Sequence, residues 1–341
     1  MTTLLGRDCR LINAAICAYA ITKNASGTLN IPTDTDGYSQ VSFDPADPPT
    51  CFVDGDEAIN AGYVATTTDN KLIVAFRGTL PPFKGDWHKW VADWLNDFKA
   101  GRVPWAVGSN AHYGMVEKGF AQSTLDLWTH GMQAEVSRRV KAHNPSEIWV
   151  TGHSKGAAMG PLGATLVHND HSTIPLHTVV DAQPMTVDQT FKNNFTTDGL
   201  NATMVRYQNE YDLVPFLPEY FTWNTLGEKS SGHILGRRWT LEAMSPDEHA
   251  HRDAIEAEAR KAVLGLHWAY VDIGTLKYIK HDCAIFEGHY GEARWEMIKA
   301  ILELHRDFHL GAKVTIRPVG VVKRLFLNLE VNVRCAGADG I

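Results

Sequence analysis

Ser154 is the residue whose surroundings point most directly to chemistry. It is the centre of GHSKG at 152–156, between an apolar stretch at 148–151 and small residues at 157–167. A serine at a sharp turn between strand and helix stands above its sheet, and glycines on both sides leave room for the turn. The helix N-terminus would favour a developing negative charge. These features predict a nucleophile, whereas the simpler interpretation is a serine that caps the helix.

Thr79 and Lys155 are the predicted hydrogen-bond donors to the oxyanion that forms when a serine attacks an ester carbonyl. Lys155 follows the serine and would offer its backbone N–H. Thr79 comes after the apolar stretch 72–76 and would offer its N–H and its hydroxyl group. The alternative is that Thr79 is an ordinary turn residue. Arg77 is expected to be structural.

The nucleophile also requires a carboxylate that orients a histidine. Asp212 follows a predicted strand at 204–207, and the carboxyl ends of parallel strands are where a sheet presents functional groups. Asp181 and Asp188 are rivals on the same grounds. Position and context favour Asp212 as the acid.

The general base is one of 16 histidines. In the chain order Ser, Asp, His it lies beyond Asp212. His281 directly follows a strand-like stretch at 276–280, which is the loop position that such a base needs. We therefore favour His281, and His289 stays the alternative.

Strands alternate with helices along most of the chain. Strands are predicted at 59–66, 72–76, 148–151, 177–180, 204–207 and 276–280, and helices at 11–21, 86–98, 122–142, 157–167, 245–264 and 292–309. This alternation predicts an α/β protein with a mostly parallel central sheet and helices on both faces. Because no repeat or linker interrupts it, residues 1–341 are expected to form one domain that ends in two strands at 314–333. The polar segment 24–57 is expected to be a surface loop.

Composition narrows the function classes. The net charge of −7 argues against a nucleic-acid partner, which would require clustered Lys and Arg. Five scattered cysteines without a CxxC pair are expected to be reduced, as in a reducing compartment. No basic leader precedes an apolar core, and no apolar stretch reaches 18 residues. We therefore expect no transmembrane segment, and either a cytoplasmic location or export without an N-terminal signal peptide.

Several motifs in one order resemble the class 3 lipases, a family of fungal triacylglycerol lipases and their bacterial and plant relatives. They are IVAFRGT at 73–79, VEKGF at 116–120, VTGHSKG at 150–156, QP at 183–184 and DLVPFLP at 212–218. The resemblance covers roughly residues 59–220. It implies an α/β-hydrolase fold, Ser154 and Asp212 as nucleophile and acid, and Thr79 in the oxyanion strand.

Three positions depart from the family pattern. Glu117 stands where the family usually has His, Lys155 where it has Leu, and Ala157 where it has Gly. The side chain of Lys155 is expected to be solvated rather than to contact an acyl group or a phosphate.

Trp87, Trp90 and Trp94 recur at spacings of three and four residues in the predicted helix 86–98. In class 3 lipases this position often carries a lid that moves at a lipid surface. An interfacial belt of tryptophans and a helix that faces the core predict the same spacing, so both interpretations stay open.

Together these features predict a serine hydrolase that cleaves lipid esters through an acyl-enzyme, without cofactor or metal. The histidine pairs at 249/251 and 305/309 lack a third ligand. The alternatives are a phospholipase or short-chain carboxylesterase on the same scaffold, or an inactive hydrolase fold that serves as a binding module. The expected partner is a lipid or ester substrate. If the tryptophan helix is a lid, this substrate is bound at a lipid–water interface.

Overall fold

The computed structural model describes residues 6–55, 59–79, 101–209, 215 and 270–279 of the 341-residue chain. The strands in these residues are β1 Thr22–Lys23, β2 Leu29–Asn30, β3 Thr50–Asp54, β4 Asn60–Thr66, β5 Lys71–Phe76, β6 Arg102–Val107, β7 Asn110–Glu117, β8 Glu147–His153, β9 Leu176–Asp181, β10 Val187–Asp188, β11 Met204–Asn209, β12 Tyr270–Val271 and β13 Thr275–Ile279. The helices are α1 Arg7–Cys17, α2 Tyr38–Val41, α3 Lys118–Leu127, α4 Gln133–His143, α5 Lys155–His171 and α6 Gln189–Thr197. The predicted elements at 86–98, 245–264, 292–309 and 314–333 lie outside the described residues.

A seven-stranded sheet organises the molecule, in the order β13-β11-β9-β8-β5-β4-β3. The first five strands in this order are parallel, and β4 and β3 extend the sheet in antiparallel fashion. The prediction of a mostly parallel sheet is confirmed. Because parallel strands point the same way, the carboxyl ends of β5, β8, β9, β11 and β13 share one edge.

Both faces of this sheet are covered, as predicted. Successive side chains of a strand point to opposite faces, and β5 shows the consequence. Val74 and Phe76 join an apolar cluster that also contains Leu162 of α5. Ile73 and Ala75 join a second cluster, with side chains of α1. Burial on both faces explains why this strand is continuously apolar.

The prediction that 24–57 is a surface loop is wrong. The segment contains β2, α2 and β3, and β3 forms the edge of the central sheet by pairing with β4. Val41 and Phe43 are buried in the cluster beneath α1. An edge strand with only one buried residue, Cys51, carries little hydrophobic pattern, which is why the composition indicated a loop.

The helix predicted at 122–142 is broken. Between α3 and α4, residues Trp128–Met132 form a wider π-type turn in which Gly131 adopts φ 132°. A Cβ atom at Gly131 would lie 2.9 Å from Cε1 of Phe52, so the glycine lets the chain pass close to β3. A regular amphipathic pattern runs through the break, and therefore could not reveal it.

A second, four-stranded sheet in the order β12-β10-β7-β6 was not predicted. Its strands are antiparallel, and β10 joins it by pairing Val187 with Val116 of β7. β7 of this sheet ends at Glu117, and α3 begins at the next residue.

Helix α1 starts four residues before the predicted start at Leu11. In the described parts of the chain, no helix has the length and apolar character needed to cross a membrane. Cys9 of α1 is disulfide-bonded. The expectation that all cysteines are reduced is therefore wrong at Cys9, although Cys17 and Cys51 are free. The argument from cysteines for a reducing compartment no longer holds.

Arg10 fastens α1 to the turn between β4 and β5. Its guanidinium donates to both carboxylate oxygens of Asp69, at 2.9 and 2.7 Å, and to the carbonyl of Val41. It also lies 4.9 Å from the ring centroid of Trp149. The hydrogen bonds from Arg10 outweigh burial and lower the pKa of Asp69 to about 2.

This pair predicts a specific loss of stability in acid. The folded-state pKa of Asp69 lies below its usual value of 3.8, so the stabilisation is complete above about pH 4 and is lost as the pH falls towards 2. We expect Asp69→Asn to be less stable than wild type at pH 6 and to lose less stability between pH 4 and pH 2. Urea unfolding at each pH measures this. Asp126→Asn, at a carboxylate paired with the neutral amide of Gln122, is the control and should keep the wild-type slope.

Candidate active site

Ser154 occupies a strained turn between β8 and α5. Its backbone has φ 55° and ψ −122°, a conformation that side chains with a Cβ atom rarely adopt. The residue precedes α5, yet its side chain makes no capping hydrogen bond. The interpretation as a helix-capping serine therefore does not explain this residue. Strain of about 1–3 kcal/mol at such a position marks a conformation that the surroundings enforce.

Two glycines permit this turn. A Cβ atom on Gly152 would overlap the carbonyl oxygen of Gly156. A Cβ atom on Gly156 would overlap the carbonyl oxygen of Phe76 and lie 2.9 Å from the carbonyl carbon of Arg77. The start of α5 therefore rests directly on the end of β5. These contacts confirm the prediction that the two glycines leave room for the turn.

The segment after β5 is held against the turn from two sides. The N–H of Arg77 donates to the carbonyl of Ala61 at 2.9 Å. A Cβ atom on Gly78 would lie 2.6 Å from the carbonyl oxygen of His153, so the two backbones are in contact there. The segment that leads from β5 to Thr79 therefore runs alongside the turn that contains Ser154.

The hydroxyl oxygen of Thr79 is buried and has no hydrogen-bond partner among the residues that the structure describes. A buried hydroxyl without a partner is costly, because it has lost its bonds to water. Such a hydroxyl group is free to donate a hydrogen bond to the oxygen atom of a bound molecule.

The expectation that the Lys155 side chain is solvated is wrong. Lys155 is only 4% exposed, and its Nζ donates to Oδ1 of Asn60 at 2.8 Å. Asn60 begins β4 and is itself buried. The charge thus lies inside the protein, beside the elements that carry the site.

Tyr19, His153 and Asp181 form a polar cluster beneath the turn that sequence reasoning missed. The hydroxyl of Tyr19 hydrogen-bonds to Nδ1 of His153 at 2.7 Å, and Nε2 of His153 lies 3.9 Å from Oδ2 of Asp181. Burial raises the pKa of Tyr19, and the charge of Arg77 opposes that rise. Burial lowers the pKa of Arg77. The only signal in the sequence was the position of His153 next to the serine.

Two of the three carboxylates weighed as the acid lie in the described residues. Asp181 ends β9, and its backbone carbonyl accepts from the N–H of Ser154 at 3.0 Å. Asp188 caps α6 by accepting from the N–H of Phe191 at 2.8 Å, which accounts for its carboxylate. Asp212 lies outside the described residues.

The strands that lead to the predicted acid and base are described, although Asp212, His281 and His289 are not. β11 ends at Asn209, three residues before Asp212, and β13 ends at Ile279, two residues before His281. Both strands are parallel to β8 and end at the same edge of the sheet. Trp87, Trp90 and Trp94 also lie outside the described residues, so the lid stays a prediction.

The position of Glu117 in the structure accounts for a glutamate where the class 3 lipases usually have a histidine. Glu117 ends β7, is fully buried, and accepts from the backbone N–H of Phe120 at 2.8 Å as the cap of α3. A carboxylate suits a helix N-terminus because of the helix dipole. In the part of the chain that the structure describes, no group of three His, Cys, Asp or Glu side chains could hold a metal ion.

The chain matches the family model of the class 3 lipases over residues 73–221. Among solved structures it is similar to lipase II from Rhizopus niveus, with 18% identity, coverage of 62% of this chain and 73% of that one, and a TM-score of 0.50. It is also similar to the triacylglyceride lipase of Rhizomucor miehei, with 21% identity, the same coverages and a TM-score of 0.49. None of the curated proteins matches the chain significantly. The likeness at 18% identity shows the α/β-hydrolase fold.

Proposed function

We propose that this chain is a serine hydrolase that cleaves carboxylic esters of lipids, of the triacylglycerol type, with Ser154 as nucleophile. The match of residues 73–221 to the family model of the class 3 lipases supports a hydrolase that acts on ester bonds. The observation that carries the proposal is the backbone of Ser154. Its φ of 55° is maintained by close glycine contacts and is not used to cap α5. A binding module would not require this strain.

In the proposed reaction, Oγ of Ser154 attacks the ester carbonyl carbon while a histidine accepts the hydroxyl proton. The tetrahedral intermediate collapses as the histidine returns the proton to the leaving alcohol, and an acyl-enzyme remains. Water then attacks the acyl-enzyme, again with the histidine as base, and releases a carboxylic acid. No cofactor enters these steps.

Asp212 is the proposed acid and His281 the proposed base, with His289 as the alternative. The support is topological: β11 and β13 bring the chain to the edge at which β8 delivers Ser154. The carboxylate of Asp181 is a weaker choice, because it lies 3.9 Å from Nε2 of His153, the residue directly before the serine, and its backbone carbonyl already accepts the N–H of Ser154.

The proposed oxyanion hole consists of the backbone N–H of Lys155, at the first turn of α5, together with Thr79. The hydroxyl of Thr79, which is buried and has no hydrogen-bond partner within the described part of the chain, supports the second assignment. Donors fixed in advance stabilise the charge that develops in the transition state without reorganisation during the reaction.

The substrate is proposed to be bound at a lipid–water interface, with Trp87, Trp90 and Trp94 on a lid. The cytoplasmic location, or export without a signal peptide, also stays a prediction.

A fluorophosphonate tests the proposed function directly, since it phosphonylates only an activated serine. We expect stoichiometric labelling of wild type, none of Ser154→Ala, and mass spectrometry should place the adduct on Ser154. Ser137→Ala is the matched control, because Oγ of Ser137 lies 3.5 Å from Nε2 of His171 on ordinary helices. It should label as wild type does.

The same reagent decides the base. His281→Ala should label far more slowly than wild type while His289→Ala keeps its rate; the reverse pattern would transfer the role to His289. An unlabelled wild type would mean that the chain is an inactive hydrolase fold.

A further inference from the structure

The buried ammonium of Lys155 is not explained by the proposed reaction. Lys155 is 4% exposed and its Nζ donates to Oδ1 of Asn60 at 2.8 Å. Asn60 is 7% exposed and lies 95 positions away along the chain. A buried charge is tolerated only where hydrogen bonds compensate its lost hydration, so this contact is demanding to maintain. A leucine, usual in the class 3 lipases at this position, would fill the space without that demand.

The contact joins the two halves of the proposed oxyanion hole. Lys155 is the first residue of α5 and carries one proposed donor on its backbone. Asn60 is followed by Ala61, whose carbonyl accepts the N–H of Arg77 at 2.9 Å. Two residues further on is Thr79, the other proposed donor. A chain of covalent and hydrogen bonds thus runs from one donor to the other without passing through the substrate.

We propose that Lys155 and Asn60 are a pair of positioning residues that fix the distance between the two donors of the oxyanion hole. The proposal rests on the proposed function, because it concerns the same site. β4 pairs with β5 within the sheet, and the start of α5 rests on the end of β5. The side chain of Lys155 therefore holds the start of the helix to the start of β4. Without it, the helix start could move relative to Thr79.

The pair acts on the transition state rather than on substrate binding. The donors are needed where charge develops on the oxygen, and a small displacement weakens that interaction strongly. The expected signature is a lower kcat with an unchanged KM.

The test is the second-order rate constant for phosphonylation of Ser154 by the fluorophosphonate, whose phosphoryl oxygen takes the place of the oxyanion. Lys155→Met keeps the length of the side chain without the charge, and Asn60→Leu removes the acceptor at similar volume. Each is expected to react about tenfold more slowly than wild type. The double variant should be no slower than either single one, because both remove the same contact. Asn60→Asp keeps an acceptor and should recover most of the rate.

Lys71→Met is the matched control, since Nζ of Lys71 also bridges two elements, bonding Ser146 and Glu147 at the opposite end of β5. It should react at the wild-type rate.

The outcomes separate this proposal from the function. If wild type is labelled and both single variants keep its rate, the positioning role is wrong while the hydrolase function stands. Additive losses in the double variant would also overturn it, because they indicate independent roles. If Lys155→Met and Asn60→Leu both fail to fold, the contact serves stability alone. An unlabelled wild type would contradict the proposed function itself.

Discussion

Replacing Ser154 by alanine is expected to lower kcat for p-nitrophenyl esters by about 10⁴-fold or more, because the nucleophile of a triad acts as a unit with its base. Alanine keeps the Cβ atom and hence the strained turn at φ 55°. The free energy of unfolding should therefore change by less than about 0.5 kcal/mol. Loss of activity without loss of stability would place Ser154 in the chemistry.

Ser154→Gly is expected to be equally inactive but more stable than Ser154→Ala, by about 1 kcal/mol. Glycine adopts φ 55° and ψ −122° without steric conflict, which releases about 1–3 kcal/mol of strain. The greater conformational freedom of glycine in the unfolded chain lowers the free energy of unfolding by about 0.5–1 kcal/mol, which offsets part of this gain. Urea denaturation of the two variants side by side measures the difference.

Asn144→Gly is the comparison for this effect. Asn144 has φ 46° and ψ 61°, a left-handed conformation that asparagine tolerates well, so the gain there should be smaller. Equal stability of Ser154→Gly and Ser154→Ala would show that the turn is not strained. Retained esterase activity in both would move the nucleophile elsewhere.

The parts of the site that are local in sequence could be predicted. The apolar runs that became β5 and β8 are buried on both faces, and such strands are recognisable without knowledge of their neighbours. The turn at 152–156 could be predicted as well, because its glycines are required by close contacts within the motif and with the end of the adjacent strand.

Contacts between distant residues could not be predicted. The buried side chain of Lys155 donates to Asn60, 95 positions away, and the ring of His153 hydrogen-bonds to Tyr19, 134 positions away. Neither partner carries a pattern that distinguishes it from a surface residue. The same holds for β3, whose pairing with β4 makes a strand out of a segment with loop-like composition. For the predicted site residues that lie outside the described part of the chain, the assignments are based on chain order and strand direction alone.

Gly156→Ala is expected to reduce both stability and activity, in contrast to Ser154→Ala. The new Cβ atom would overlap the carbonyl oxygen of Phe76 and lie 2.9 Å from the carbonyl carbon of Arg77. These are backbone atoms at the end of a central strand and in the residue that follows it, and a backbone atom cannot rotate away as a side-chain atom can. We expect a loss of about 3 kcal/mol, at the upper end for overpacking. The start of α5 would have to move away from β5, and a displacement near 1 Å between Ser154 and Thr79 would lower kcat about 100-fold.

Gly160→Ala is the matched control, one turn further along α5. Its Cβ atom would lie 2.8 Å from Cγ1 of Val180, a side-chain methyl group that can shift, and alanine favours the helix by about 1 kcal/mol. We therefore expect a free energy of unfolding within about 1 kcal/mol of wild type and a nearly unchanged kcat. Thermal denaturation together with p-nitrophenyl ester hydrolysis measures both variants. Equal effects of the two substitutions would mean that the contact between α5 and the end of β5 does not set the geometry of the site. A Gly156→Ala variant that is unstable yet fully active per folded molecule would separate that contact from catalysis.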